Sequence, residues 1–113
     1  MKVDSNIDDV ISQLKRSADR AVEQAMKELE KTAFEVEREA KLNAPVDTGM
    51  LRGSITTEEV GDGFEVFTNV EYAPFLEYGT SKMAAQPFME PALDVATKGL
   101  GDRIKKIITE QLD

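Results

Sequence analysis

Apolar side chains recur at Ile7, Ile11, Leu14, Ala18, Val22, Ala25, Leu29, Ala33, Val36 and Ala40. The mean step is about 3.67 residues, the period of a nearly straight helix and not of a left-handed heptad seam. No Gly or Pro interrupts the run, and charges of both signs fill the remaining positions, as on a solvated face. The pattern predicts a helix over 5–42. Ser5 is its N-cap, with Asp8 three residues on in a box-like arrangement. The helix should stop near Asn43, because Pro45 disfavours α-conformation at Ala44.

The period then changes. Leu51 to Val60 holds β-formers at Ile55, Thr56, Thr57 and Val60, Gly61-Asp62-Gly63 signals a tight turn, and Phe64 to Val70 reads as the returning strand, together predicting a β-hairpin. Val66 and Phe67 are adjacent, so they point to opposite faces and both faces of the sheet need cover. Tyr72 to Thr80 is dense in aromatics and broken by Pro74 and Gly79, which predicts a short helical turn after Pro74 and an exposed loop over 81–86. Helical spacing returns at Leu93, Ala96, Leu100, Ile104, Ile107, Ile108 and Leu112. Residues 87–112 therefore read as one C-terminal helix, opened by Pro87 or Pro91, with a weak point at Gly99 and Gly101. The fold class is α+β: a long N-terminal helix over 1–43, an antiparallel hairpin or small sheet with the aromatic loop over 50–80, and a C-terminal helix packed on the sheet.

At 113 residues the length suits a single domain. A helix of about 36 residues is about 54 Å long, whereas a compact domain of this size is roughly 35 Å across. The apolar stripe outruns the body that could cover it, so either the helix breaks, or residues 1–12 fray in isolation, or its first turns bury their stripe on another subunit, which is the reading preferred from this size mismatch.

Composition removes most catalytic options. There is no Cys and no His, hence no thiol nucleophile, no disulfide frame, no imidazole base and no Cys/His zinc site. The Ser and Thr hydroxyls lack a His to activate them. Lys82, in Gly79-Thr80-Ser81-Lys82, does not belong to a phosphate-binding loop of the Walker type. Glu58 and Glu59 adjoin on a strand and point apart, and Asp47 alone does not make a metal site. No catalytic, cofactor-binding or metal-ligating residue is assigned, and no cofactor is expected.

The net charge is -8, and residues 43–93 supply most of it, with 2 basic against 8 acidic side chains. Such a surface disfavours nucleic acid and anionic lipid. The aromatics Phe64, Phe67, Tyr72, Phe75, Tyr78 and Phe88 lack the Lys and Arg company of a base-stacking platform, and read instead as core and interface. Met1-Lys2-Val3-Asp4-Ser5 has no apolar run behind it and is not a signal peptide. No stretch approaches the ~20 apolar residues of a membrane span. A soluble, cytoplasmically made chain is expected.

Three blocks carry a resemblance: Ala44-Pro45-Val46-Asp47-Thr48-Gly49-Met50-Leu51-Arg52-Gly53-Ser54-Ile55, Tyr72-Ala73-Pro74-Phe75-Leu76-Glu77-Tyr78-Gly79-Thr80-Ser81-Lys82-Met83, and Gln86-Pro87-Phe88-Met89-Glu90-Pro91-Ala92-Leu93. Their order and spacing resemble the small neck, or head–tail joining and tail-completion, proteins of long-tailed bacteriophages and prophages, the lambda-like siphophage gene-product-ten type. The resemblance spans residues 30–100 or so. It implies a long N-terminal helix, an antiparallel β-region and a closing C-terminal helix.

The resemblance further implies a structural virion protein and not an enzyme: a ring-forming subunit of the neck, assembled in the bacterial cytoplasm. Its partners would be other copies of itself, the head connector and tail proteins. DNA would pass through the ring without specific binding, and no membrane is involved. Tyr72, Phe75, Tyr78, Thr80, Lys82, Met83 and Phe88 are the candidate subunit contacts, since a rigid aromatic loop suits an interface anchor. Pro45, Asp47, Gly49, Gly79 and Pro87 set turns. A tail terminator or tail-completion protein shares this size and plan. An acidic binding module, such as a DNA mimic or antitoxin, is the other reading; it would need acids at phosphate-like spacing on one face.

Overall fold

The structure, a computed structural model, describes residues 7–45 and 49–112. Along the chain run α1 (Ile7–Asn43), α2 (Met50–Ser54), β1 (Thr56–Val60), β2 (Gly63–Phe67), α3 (Ala73–Tyr78), α4 (Met89–Ala96) and α5 (Leu100–Leu112). The class is α+β and mostly helical. The chain forms two compact units, Met1–Leu29 with Gly99–Asp113, and Glu30–Lys98; α1 contributes to both.

α1 ends at Asn43, as Pro45 demands. Its N-cap, read at Ser5, lies outside the described residues, as does Asp47. The hairpin closes with Val60 opposite Gly63, and Gly61 takes φ 56, the glycine-first arrangement that matches strand twist. Glu58 pairs with Glu65 and Glu59 with Phe64, so the two adjacent acids do face apart.

Two readings from sequence need correction. Leu51 to Ser54 is helix, not strand. Gly49, with φ 74, starts α2, Leu51 is buried from it, and the strand begins only at Thr56. The segment 87–112 is not one helix. It begins at Met89, with Pro91 in the first turn, and breaks after Ala96, where Gly99 takes φ 73. That left-handed conformation ends a helix at no steric cost for glycine. Leu100 is four positions on from Ala96, so the apolar spacing runs through the break and conceals it.

The Glu30–Lys98 unit has a core of Val36, Ala40, Ala44, Leu51, Ile55, Ala73, Phe88, Ala92 and Ala96, with Val66, Val70, Leu76 and Met89 packed at its margin. Five of the nine are alanine, which lets helix backbones approach closely. Phe88 fills the space they leave, a burial worth about 2–3 kcal/mol. Val66 joins this core from β2, and the stripe of α1 points into it through Val36 and Ala40.

In the Met1–Leu29 and Gly99–Asp113 unit the stripe behaves differently. The face of α1 that is covered runs through Val10, Gln13, Ser17, Ala21, Gln24 and Glu28, while Ile7, Ile11, Leu14, Ala18 and Val22 are exposed. At 3.6 residues per turn the two faces differ by about a quarter turn. No residue of α5 is fully buried, and Arg103 Nε meets Glu28 Oε1 at 2.7 Å.

Candidate functional site

The aromatic segment is built on α3. Pro74 sits in its first turn, where a missing N–H costs nothing, and Ala73 is buried. Tyr72, Phe75 and Tyr78 follow at three-residue spacing and so line one side. All three are exposed, Phe75 by 56% and Tyr78 by 78%. Leu76 turns to the core margin.

The loop after α3 is exposed but tied. Gly79 takes φ 76, and its N–H bonds Phe75 O at 2.8 Å. A Cβ there would lie 2.8 Å from Ala85 N and 2.9 Å from Met83 O. Thr80 and Met83 exchange backbone bonds at 2.8 and 3.4 Å, and the Lys82 N–H donates to Thr80 Oγ1 at 3.2 Å. Gln86 N–H then returns to Leu76 O at 2.7 Å. Thr80, Lys82 and Met83 are therefore presented to solvent on a fixed turn.

Beside it lies a groove of about 380 Å³ lined by Pro45, Met50, Leu51, Tyr72, Leu76, Met83 and Gln86. Met50 and Tyr72 on its rim are exposed. A shallower hollow of about 290 Å³ lies between Val70, Pro74, Tyr78 and Met89.

Six of the seven anticipated contact residues, Tyr72, Phe75, Tyr78, Thr80, Lys82 and Met83, are thus exposed on one continuous segment. Phe88 is not among them. It is 2% exposed and belongs to the core, so it is unavailable as a surface contact. Pro87 precedes α4 and does not open it.

Sequence reasoning did not assign the polar side chains that hold this surface in place. Phe88 is the N-cap of α4 and offers no capping side chain. Glu77 supplies the acceptor: Oε1 takes the N–H of Phe88 at 3.2 Å and of Met89 at 2.8 Å, and Oε2 takes that of Glu90 at 3.2 Å. A carboxylate at a helix N-terminus also complements the helix dipole. Arg52 does the converse job at the end of α1, donating Nε–H to Lys41 O at 2.9 Å, one of the carbonyls that a helix end leaves unpaired. Asn43 Nδ2 donates to Phe88 O at 3.3 Å. Ser54 Oγ bonds Leu51 O at 2.7 Å and shares a 2.6 Å bond with Thr68 Oγ1. The signal for these contacts was the absence of a cap residue ahead of α4 and of a glycine after α1.

Among the described residues no group of three or more acidic side chains is placed to hold a metal ion. No described helix is long and apolar enough to cross a membrane.

The family model described as "Bacteriophage HK97-gp10, putative tail-component" matches residues 8–79, well over half of the chain. The match takes in the first sequence block and the second as far as Gly79. No curated protein and no solved structure matches.

Proposed function

The chain belongs to the HK97-gp10-like family of bacteriophage tail components, and from that premise we propose that it is a ring-forming subunit of the neck, joining the head connector to the tail. Its role is structural and its place is the virion. The observation that carries the reading is the fixed, exposed row of Tyr72, Phe75 and Tyr78 with the tied turn of Thr80, Lys82 and Met83. Large aromatic side chains held in place lose little entropy on docking, and such residues dominate interface energies.

Copies of the chain meet through this segment, and the head connector and a tail protein bind the two sides of the ring. The Glu30–Lys98 unit carries six basic and thirteen acidic side chains, a net -7. Where that charge faces the lumen it repels DNA and lets it slide. The assembly takes place in the host cytoplasm.

Removal of this gene from its phage tests the assignment. A neck subunit predicts DNA-filled heads and complete tails of normal length that fail to join. Tails of irregular length would identify a tail terminator instead, and unaltered virions would exclude both.

A further inference from the structure

We infer that the hollow of about 290 Å³ beside α3 takes a Lys or Arg side chain from a basic protein other than this chain. This rests on the neck reading and deepens it, by giving the chemistry of a partner that docks on the ring. The hollow is a separate surface from the row of Tyr72 and Phe75, neither of which lines it; Ala73, Pro74 and Glu77 do, with Tyr78 at the border of both.

Its lining suits a long side chain with an apolar stem and a charged head. Ala73 and Phe88 are buried and Val70 and Met89 half-buried, which gives methylene groups an apolar floor. Asn69, Glu71 and Tyr78 are the exposed lining. Glu71 brings a full negative charge and Asn69 an amide acceptor, and the ring of Tyr78, 78% exposed, offers its face to a cation. None of the described lining residues is basic, and Glu71 forms no salt bridge with a described residue. A divalent ion fits less well, since it needs six or so oxygen ligands. The only other carboxylate here, that of Glu77, already accepts three backbone N–H groups.

Charge decides against a second copy as the occupant. The Met1–Leu29 and Gly99–Asp113 unit has eight basic and nine acidic side chains, and the Glu30–Lys98 unit six and thirteen. Both are net negative, so neither is drawn to an acidic hollow by its overall field, whereas a basic partner is steered to it.

Binding of the matching head connector and of the matching tail protein, measured by calorimetry at two ionic strengths, tests this on wild type, Glu71→Gln, Glu71→Lys and Asp62→Lys. Asp62 is exposed in the hairpin turn and does not line the hollow, so Asp62→Lys makes the same change in net charge away from the site. One of the two proteins should bind wild type, with Glu71→Lys weaker by about tenfold or more, Glu71→Gln weaker by less, and Asp62→Lys within about twofold of wild type. The loss of affinity with salt should be shallower for Glu71→Gln than for wild type. Light scattering should give Glu71→Lys the oligomeric mass of wild type. Unchanged binding by Glu71→Lys, or an equal loss in Glu71→Lys and Asp62→Lys, overturns the inference and leaves the neck reading standing. So does a Glu71→Lys chain whose oligomer changes while its partner still binds, since the hollow is then a contact between copies. Wild type that binds neither protein removes the neck reading and the inference with it.

Discussion

The carboxylate of Glu77 and the backbone N–H of Met89 meet at 2.8 Å, with Phe88 and Glu90 donating to the same carboxylate. One side chain of α3 thus closes the N-terminus of α4 and fixes the segment that presents Tyr72, Phe75 and Tyr78. Glu77→Ala should destabilise the protein by about 1–3 kcal/mol, the range for leaving such donors unpaired. Glu77→Gln keeps an acceptor and should lose less. Chemical denaturation measures both, and hydrogen exchange should show the early amides of α4 losing protection first.

Arg52 holds the other helix end through Lys41 O. Arg52→Ala should cost about 1.5–3 kcal/mol, the range of hydrogen bonds involving a charged group. Arg52→Lys keeps the charge but not the planar donor, so it should recover only part of the loss. Equal stability of all three proteins in urea would remove the cap from the account.

Gly79 and Gly53 make a matched pair. A Cβ at Gly79, at φ 76, meets the backbone of Met83 and Ala85 within 3 Å, while one at Gly53 meets nothing within 4 Å. Gly79→Ala should lose at least ~2 kcal/mol and displace the Thr80–Met83 turn. Gly53→Ala lies in helical backbone and should be neutral or stabilising by up to ~1 kcal/mol. Thermal melts of the two variants check the contrast.

On the hairpin, Glu58 stands directly opposite Glu65, both exposed. Like charges so placed repel. Glu65→Lys should stabilise the hairpin by about 0.2–1 kcal/mol at low salt, with the gain shrinking as salt rises. Melting temperature at two ionic strengths reads both effects.

What the sequence made legible were the features set by local chemistry. The 3.67-residue period and Pro45 locate α1 and its end, Gly61-Asp62 locates the hairpin turn, and Pro74 locates α3. What it hid were features set by distant residues. Nothing near Met89 announces that its cap comes from Glu77, twelve residues away. Leu51 to Ser54 carries neither a helical nor a strand period, and its helix depends on the burial of Leu51 and the reach of Arg52.

The stripe of α1 shows the limit most clearly. Its period was read correctly over the whole helix. In the Glu30–Lys98 unit that face is the buried one, at Val36 and Ala40. Around Ser17 and Ala21 a neighbouring face is covered instead, and Ile7, Ile11 and Leu14 are left outside. Periodicity gives the face that wants cover; it does not say which molecule covers it.

As proposed, copies of this chain close into a ring that joins head to tail. Its mass in solution, by light scattering over a wide concentration range and with the matching head connector added, tests that most directly. A ring-forming neck subunit should give a discrete closed oligomer, alone or on the connector. A chain that stays monomeric throughout and binds neither connector nor tail protein would contradict it.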